Sequence, residues 1–269
     1  MVSFPPCKIN LGLNVLKKRD DGYHDIETCF YPLPFTDILE VIPSSAFEFS
    51  SSGITIPGET TNNLCVRAYS LLRDEYQLPA VRIHLHKIIP AGAGLGGGSS
   101  DAAYTLRLLN SMFGLELDIH KLSNYAAQMG SDCSFFLHDS PMVGRGRGEV
   151  LTKIDVDLKG KYLVLLNPGI HVSTAEAYGG VVPHLPVFPL EETLTRPVAK
   201  WKLLLENDFE KSVFARFPLV STLKDELYKH GAIYASMSGS GSSVFGIFEN
   251  KLEVLEPALS TYVLWQGYL

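Results

Sequence analysis

The sequence lacks long apolar runs and has only four cysteines in 269 residues. No stretch approaches the ~18 apolar residues needed to span a bilayer, and residues 1–6 lack the charged and apolar segments of an export signal. Cys7, Cys29, Cys65 and Cys133 lie far apart, without the Cys-x-x-Cys spacing of zinc or redox sites. We therefore expect a cytoplasmic protein with reduced thiols and no membrane anchor.

An excess of basic residues is also missing. The chain has 23 Lys and Arg against 29 Asp and Glu, a formal net charge of −6. Such a surface repels nucleic acid and anionic membranes, so we expect neither as a partner. The histidines lack His-Glu-x-x-His spacing, and no metal site in the protein itself is expected. With 46% hydrophobic and 19% charged residues, the composition is typical of a globular enzyme.

Apolar periodicity switches irregularly between strand and helix patterns, which predicts an α+β fold with a boundary near residue 150. Residues 7–16 alternate as a half-buried strand, with Lys8 and Asn10 on the polar face. Helical spacing follows Asn63, and the Pro-rich stretch 183–197 is predicted to be irregular. Further strands are predicted at residues 38–42, 47–56, 81–85, 161–166, 232–237 and 243–248, and further helices at residues 102–113, 120–129 and 132–137, the last with Asp132 as its N-cap.

A glycine loop follows the predicted strand at residues 81–85. Residues 92–98 contain five glycines, and Ser99, Ser100 and Asp101 are predicted to supply the N-cap of the next helix. A glycine loop that opens a helix binds anions through its backbone N–H groups and the helix dipole. It lacks the Gly-Lys-Ser/Thr ending of a Walker A loop. The pattern therefore favours a polyphosphate ligand outside the common P-loop enzymes.

Two alternatives for this loop remain open from the residues alone. Gly92, Gly94 and Gly97 match the dinucleotide pattern Gly-x-Gly-x-x-Gly, with Asp118 about twenty residues later, as in a dehydrogenase. Against this, Asp118 is better placed to cap the next helix, and the loop is longer and richer in glycine than that turn requires. The other alternative is a purely structural loop.

Three segments of the chain resemble the motifs of the GHMP kinase superfamily, in the same order: the strand around Lys8, the glycine loop, and the turn at residues 238–241. The resemblance implies a two-domain α+β fold with the active site in the cleft between the domains. Residues 1–152 would form the N-terminal ATP-binding domain and residues 153–269 the C-terminal domain. ATP and Mg²⁺ are the implied cofactors.

Other segments are similar to one branch of this superfamily, which phosphorylates the 2-hydroxyl of a cytidine diphosphate-linked methylerythritol in the non-mevalonate route to isoprenoid precursors. These segments are residues 6–11, 18–24, 130–136 and 144–149. Cys133 and Ser134 stand where that branch usually has Val and Pro, which leaves the carboxylate of Asp132 in place. The implied partners are that small molecule and ATP, with the protein acting as a monomer or weak homodimer.

The resemblance assigns roles to particular residues. Lys8 and Asp132 would form the catalytic pair, although each alone has an ordinary structural explanation, as a strand lysine or a helix cap. Asn63 and Lys87 would face the adenine, and Ser99 or Ser100 would lie near Mg²⁺. The ATP phosphates would be wrapped by Pro90, Gly92, Gly94, Leu95, Gly96, Gly97, Gly98, Ser99 and Ser100.

The same resemblance predicts the substrate-binding residues. Tyr23 would stack on the cytosine, His24 would hydrogen-bond to it, and Tyr178 would cover its opposite face, although ordinary packing also explains Tyr178. The other predicted substrate contacts are Asn10, His171, Thr174 and Gly239. Two alternatives are another small-molecule kinase of the superfamily, acting on mevalonate, phosphomevalonate or homoserine, and a nucleotide-binding protein without catalysis.

Overall fold

The computed structural model describes residues 1–252 and 256–269. Its strands are Val2–Ser3 (β1), Pro6–Lys18 (β2), His24–Thr36 (β3), Ile38–Pro43 (β4), Glu48–Gly53 (β5), Val81–Lys87 (β6), Met142–Arg145 (β7), Val150–Lys153 (β8), Tyr162–Leu166 (β9), Tyr234–Met237 (β10), Val244–Phe248 (β11) and Val263–Tyr268 (β12). Its α-helices are Leu64–Tyr76 (α1), Gly97–Phe113 (α2), Ile119–Ala127 (α3), Thr174–Tyr178 (α4), Leu190–Leu194 (α5), Val198–Trp201 (α6), Phe209–Arg216 (α7), Pro218–Lys229 (α8) and Pro257–Ser260 (α9). Short 3₁₀ helices occupy Thr60–Asn62 and Ser134–Leu137. The predicted α+β class is confirmed.

The first compact unit comprises residues 1–8, 32–91 and 96–139. Its sheet has the strand order β1-β4-β6-β5, in which β6 runs antiparallel to β4 and parallel to β5. Alternate residues of β6, Val81, Ile83 and Leu85, are buried, and α1 and α2 pack against each other. This alternation follows the predicted pattern, because one face of each strand packs on the core.

The second unit comprises residues 9–31, 92–95 and 140–269. An antiparallel sheet of order β10-β11-β9-β12 has helix α8 packed against β10 and β11. Its core includes Val164, Leu223, Leu227 and Val244. A further sheet has the order β2-β3-β7-β8, in which β2 and β3 run through segments of both units. Each unit is built from three separate segments of the chain. The division into domains at residues 1–152 and 153–269 stays a prediction.

The strand at residues 7–16 is confirmed within β2, but its half-buried character is wrong. Every residue of β2 from Cys7 to Val15 is buried. The face that carries Gly12 is covered, because a side chain at Gly12 would overlap Leu205. Backbone hydrogen bonds also join Leu13 to the segment containing Glu206. The polar side chains of this strand, Lys8, Asn10 and Asn14, are therefore buried and do not face solvent.

Three other details of the sequence prediction need correction. Helix α2 begins at Gly97 with Gly96 as its N-cap, whereas the N-cap was predicted at residues 99–101. Asp132 is not an N-cap, since Cys133 precedes the 3₁₀ helix and no side chain caps it. The stretch at residues 183–197 is not wholly irregular, because it contains α5. In contrast, Asp118 does cap α3 and accepts a hydrogen bond from the Lys121 amide, as predicted.

The cysteines and helices of the described residues bear on two further expectations. Cys7, Cys29, Cys65 and Cys133 are all buried free thiols. Within residues 1–252 and 256–269, no helix has the length and apolar character that crossing a membrane requires.

Candidate active site

Lys8 and Asp132 come together in the first unit, as the resemblance implied. Lys8 Nζ lies 3.5 Å from Asp132 Oδ2, with the lysine side chain 3% exposed and the aspartate 33% exposed. Burial lowers the pKa of the Lys8 ammonium, and the negative charge of Asp132 opposes that shift. Asp132 lies in the turn before the 3₁₀ helix, where its carboxylate is not used for capping. The pair therefore combines a buried cation with a carboxylate that reaches solvent.

The glycine loop reaches this pair at Gly96. Gly96 has a φ of +69°, a conformation that favours glycine, and a Cβ there would lie 2.8 Å from Phe136 Cζ and 3.3 Å from Lys8 Cε. The backbone of residue 96 thus packs directly against the lysine stem. Any side chain at this position would move either the phenylalanine or the lysine.

The first turn of α2 has the features of an anion site. The N-cap residue of this 17-residue helix is Gly96, which has no side chain to accept hydrogen bonds from the first N–H groups. Ser100 is fully buried, and its Oγ has no hydrogen-bond partner in the described part of the chain. Ser99 is half-buried, and Gly98 is exposed. These donors fit phosphate oxygens, and the hydroxyls fit the oxygen ligands that Mg²⁺ prefers.

Residues 92–95 of the same loop belong to the second unit, where they pack against the turn at residues 238–241. A side chain at Gly94 would overlap the carbonyl oxygen of Ser238. Ser238 Oγ donates a hydrogen bond of 2.9 Å to the Gly94 carbonyl. Gly239 has a φ of +55° and Gly241 a φ of +86°. The two glycine-rich segments therefore depend on each other for close backbone approach.

Asn10 and Gly239, both predicted to bind substrate, make buried internal hydrogen bonds. Asn10 Nδ2 donates to Thr28 Oγ1 at 2.9 Å, and Asn10 Oδ1 accepts from Ser238 Oγ at 3.5 Å. The Gly239 carbonyl accepts from Asn207 Nδ2 at 2.9 Å. The same amide donates to the Met237 carbonyl at 2.8 Å. Sequence reasoning missed Asn207, because no local motif marks an asparagine that supports a distant turn.

The predicted base-binding residues make aromatic and cation–π contacts in the second unit. The rings of His24 and Tyr178 are stacked, with centroids 4.6 Å apart and planes 18° apart. Phe209 meets Tyr178 edge-on at 4.7 Å. Tyr23 is exposed, and the guanidinium of Arg147 lies 4.8 Å from its ring centroid. The structure thus brings His24 and Tyr178 together directly, whereas the prediction placed a base against Tyr178.

His171 and Thr174 lie in the same unit as residues 92–95. A Cβ at Gly92 would lie 2.7 Å from the His171 ring, so the loop backbone packs against this imidazole. Thr174 is exposed and is the first residue of α4. Both side chains are accessible to a ligand. Their predicted role at the diphosphate or polyol stays a prediction.

A pocket of about 190 Å³ in the first unit contains the residues predicted to face adenine. Asn63, Lys87 and Gly98 line it, together with apolar side chains such as Leu64 and Leu85. Asn63 also caps α1, accepting a hydrogen bond from the Cys65 amide. Pro90 is half-buried and Leu95 is buried. The lining of the pocket therefore combines apolar side chains with polar ones, which include Thr60, Asn62 and Asp101.

Lys87 has partners that sequence reasoning missed. Its ammonium is paired with Asp37 and lies 2.8 Å from Asp101 Oδ2. Asp101 was interpreted as part of a helix cap, and nothing in the sequence around Asp37 signals a buried charge. The ammonium of Lys87 is therefore bound by carboxylates at the edge of the pocket. Across residues 1–252 and 256–269, no three His, Cys, Asp or Glu side chains are grouped so as to hold a metal ion.

Comparisons with known proteins identify the family of the chain. Residues 63–140 match the family described as GHMP kinases N terminal domain, and residues 192–261 match GHMP kinases C terminal. A Cytophaga hutchinsonii protein named 4-diphosphocytidyl-2-C-methyl-D-erythritol kinase is 53% identical over 254 residues, which cover 94% of each chain.

Solved structures give the same result. The crystal structure of a 4-(cytidine 5'-diphospho)-2C-methyl-D-erythritol kinase matches with a TM-score of 0.78 and 36% identity, covering 93% of this chain and 91% of that chain. The Methanococcus jannaschii mevalonate kinase matches with a TM-score of 0.65 at 14% identity, covering 92% and 90%, which is a likeness of fold alone. The chain therefore belongs to the GHMP kinase family.

Proposed function

We propose that this protein transfers the terminal phosphate of ATP to the 2-hydroxyl of 4-diphosphocytidyl-2-C-methyl-D-erythritol. The observation that carries the proposal is the pairing of Lys8 with Asp132 at 3.5 Å, beside the backbone of Gly96. The substrate is supported by the relative that is 53% identical over 94% of the chain and carries the name of that kinase.

Asp132 and Lys8 have separate roles in the proposed reaction of the acceptor hydroxyl. A bond forms between the hydroxyl oxygen and the γ-phosphorus, the bond from that phosphorus to ADP breaks, and the hydroxyl proton passes to Asp132. Lys8 stabilises negative charge on the moving phosphoryl group. Because the transition state of phosphoryl transfer is loose, positioning and electrostatics supply most of the rate. The greater exposure of Asp132 suits a group that must meet an incoming substrate.

The nucleotide is proposed to bind along the glycine loop. The N–H groups at the start of α2 would receive phosphate oxygens, and the pocket lined by Asn63 and Lys87 would receive the adenine. Ser99 or Ser100 would hold Mg²⁺, which neutralises phosphate charge when it is bound. The unpartnered, buried Ser100 hydroxyl supports this assignment.

The cytidine end of the substrate is proposed to bind at His24 and Tyr178. Aromatic stacking contributes about 1 to 3 kcal/mol per base, which is enough to anchor a cytosine. Since His24 already stacks on Tyr178, we expect the histidine ring to shift when the base binds, leaving its ring nitrogens to hydrogen-bond to the base edge.

A comparison of acceptor substrates tests the proposal against the other small-molecule kinases of the family. Purified protein is incubated with Mg-ATP and, separately, with the diphosphocytidyl methylerythritol, mevalonate, phosphomevalonate or homoserine, and ADP release is followed. Of the four acceptors, we expect only the cytidyl compound to give rapid ADP release. Turnover of mevalonate or homoserine without turnover of the cytidyl compound would contradict the substrate assignment. Asp132→Ala serves as the control for contaminating kinases.

A further inference from the structure

Three buried charged side chains meet at the start of α2, and none of them takes part in the proposed chemistry at the acceptor hydroxyl. The Lys87 ammonium binds the carboxylates of Asp37 and Asp101, and each of the three side chains is at most 3% exposed. Burying charges costs free energy unless the pairing is good. The three residues come from separate elements: Lys87 ends β6, Asp37 lies between β3 and β4, and Asp101 is in α2.

The triad Asp37, Lys87 and Asp101 fixes both ends of the segment that contains the glycine loop. Ile88 and Ile89 lie just before the glycine loop. Asp37 Oδ1 accepts hydrogen bonds from their backbone amides, at 2.5 and 2.8 Å. After the loop, a Cβ at Gly97 would lie 2.9 Å from Lys87 Nζ. The ammonium therefore lies directly against the first residue of α2, and only glycine leaves room for it.

The start of α2 needs such support because it has little of its own. Its N-cap is Gly96, which offers no capping side chain, and Gly97 and Gly98 are poor helix formers. A capping side chain would compete with a phosphate for the first N–H groups. Support from inside, through Asp101 and Lys87, leaves those groups open.

We propose that Asp37, Lys87 and Asp101 are positioning residues that hold the first turn of α2 in the conformation that receives the nucleotide phosphates. Their charged heads bind one another and act on the nucleotide through that turn. The inference rests on the proposed function, because it assumes that ATP phosphates bind there. It predicts that the triad sets nucleotide affinity rather than the rate of the chemical step.

The test measures binding of Mg-ATP by calorimetry together with steady-state kinetics of the full chain. Lys87→Met removes the ammonium and leaves two buried carboxylates, so it can fail to fold. Lys87→Met/Asp101→Asn removes one of those charges as well and leaves Asp37 bonded to two amides. Asp101→Asn alone keeps an oxygen that accepts a hydrogen bond from Lys87. Arg82→Gln, on the same strand as Lys87, breaks an exposed ion pair with Glu48 of β5 and is the matched control.

We expect Lys87→Met/Asp101→Asn to weaken Mg-ATP binding by roughly 10-fold or more while kcat at saturating ATP stays within about 3-fold. The KM for the second substrate should not change. Asp101→Asn, which keeps an acceptor for the Lys87 ammonium, should bind Mg-ATP within about 3-fold of the original chain.

Two results would overturn the inference: a folded double variant that binds Mg-ATP as tightly as Arg82→Gln does, or a loss confined to kcat. Failure of the proposed function has a different signature. If the original chain binds Mg-ATP but does not phosphorylate the cytidyl compound, the substrate assignment is wrong, whereas the affinity series still decides the role of the triad.

Discussion

Gly96 packs against Lys8 so closely that a single added carbon would lie 3.3 Å from Lys8 Cε and 2.8 Å from Phe136 Cζ. This contact joins the glycine loop to the proposed catalytic lysine within one unit. The position of the Lys8 ammonium therefore depends on the backbone conformation of the loop, and the loop tolerates no side chain at its closest point.

Gly96→Ala is expected to reduce activity by more than its effect on stability explains. Gly114 is the matched control, because its φ is +58° and nothing lies within 4 Å of the Cβ that would be added. Both alanines should destabilise the fold by about 1 to 2 kcal/mol through the left-handed backbone. Only Gly96→Ala should also lower kcat/KM, by roughly 10-fold or more. Equal kinetic effects in the two variants would argue against the contact with Lys8.

Removal of either proposed catalytic side chain should slow turnover without weakening ATP binding. Lys8→Ala and Asp132→Ala are each expected to lower kcat by roughly 10²-fold or more. Lys8→Met keeps most of the aliphatic stem that packs on Gly96, so it separates loss of charge from loss of packing. Comparable kcat values for Lys8→Met and the original chain would remove the ammonium from the mechanism.

The pH dependence of kcat should report Lys8 on the alkaline side. Lys8 acts as a cation, and burial lowers its pKa, so the ammonium loses its proton below the ~10.4 of an ordinary lysine. As pH rises through that lowered value, kcat should fall. In Lys8→Arg the guanidinium stays charged, so whatever activity remains should lose this alkaline decline. An unchanged decline in Lys8→Arg would assign it to another group.

Substitution of Tyr178 should affect the cytidyl substrate alone. Tyr178→Ala removes the ring that stacks on His24, and we expect the KM for the cytidyl compound to rise by roughly 10-fold with the KM for ATP unchanged. Tyr178→Phe keeps the ring and is the control, expected within about 3-fold of the original chain. If Tyr178→Phe is as defective as Tyr178→Ala, the hydroxyl rather than stacking carries the effect.

Local sequence patterns predicted most helices and strands but not the tertiary contacts that they make. The helix after Asn63 and the strand from Val81 follow apolar periodicity, because each buries one face on a core. The N-cap of α2 was predicted at residues 99–101 instead of Gly96, since glycine propensity argues against a helix at Gly97, whereas the packing of that residue over Lys87 requires glycine. At this position, tertiary packing rather than intrinsic helix propensity determines where the helix begins.

The candidate site depended on resemblance more than on pattern. Nothing local to Lys8 or Asp132 predicts that they meet, and only the family motifs linked them. Asp37, Asp101 and Asn207 were missed as supporting residues, because a buried ion pair or a bridging amide is defined by residues distant in sequence. Alternation also placed Lys8 and Asn10 on a solvent face, where the structure buries them.

The most direct test of the account follows the phosphate itself. ATP labelled at the γ-position is incubated with Mg²⁺, the diphosphocytidyl methylerythritol and the purified chain, and the products are resolved by ³¹P NMR. The account predicts one new phosphate ester, at the 2-hydroxyl of the cytidyl compound, for each ADP formed, and none with Asp132→Ala. Release of the label as inorganic phosphate, with no ester on the cytidyl compound, would contradict it.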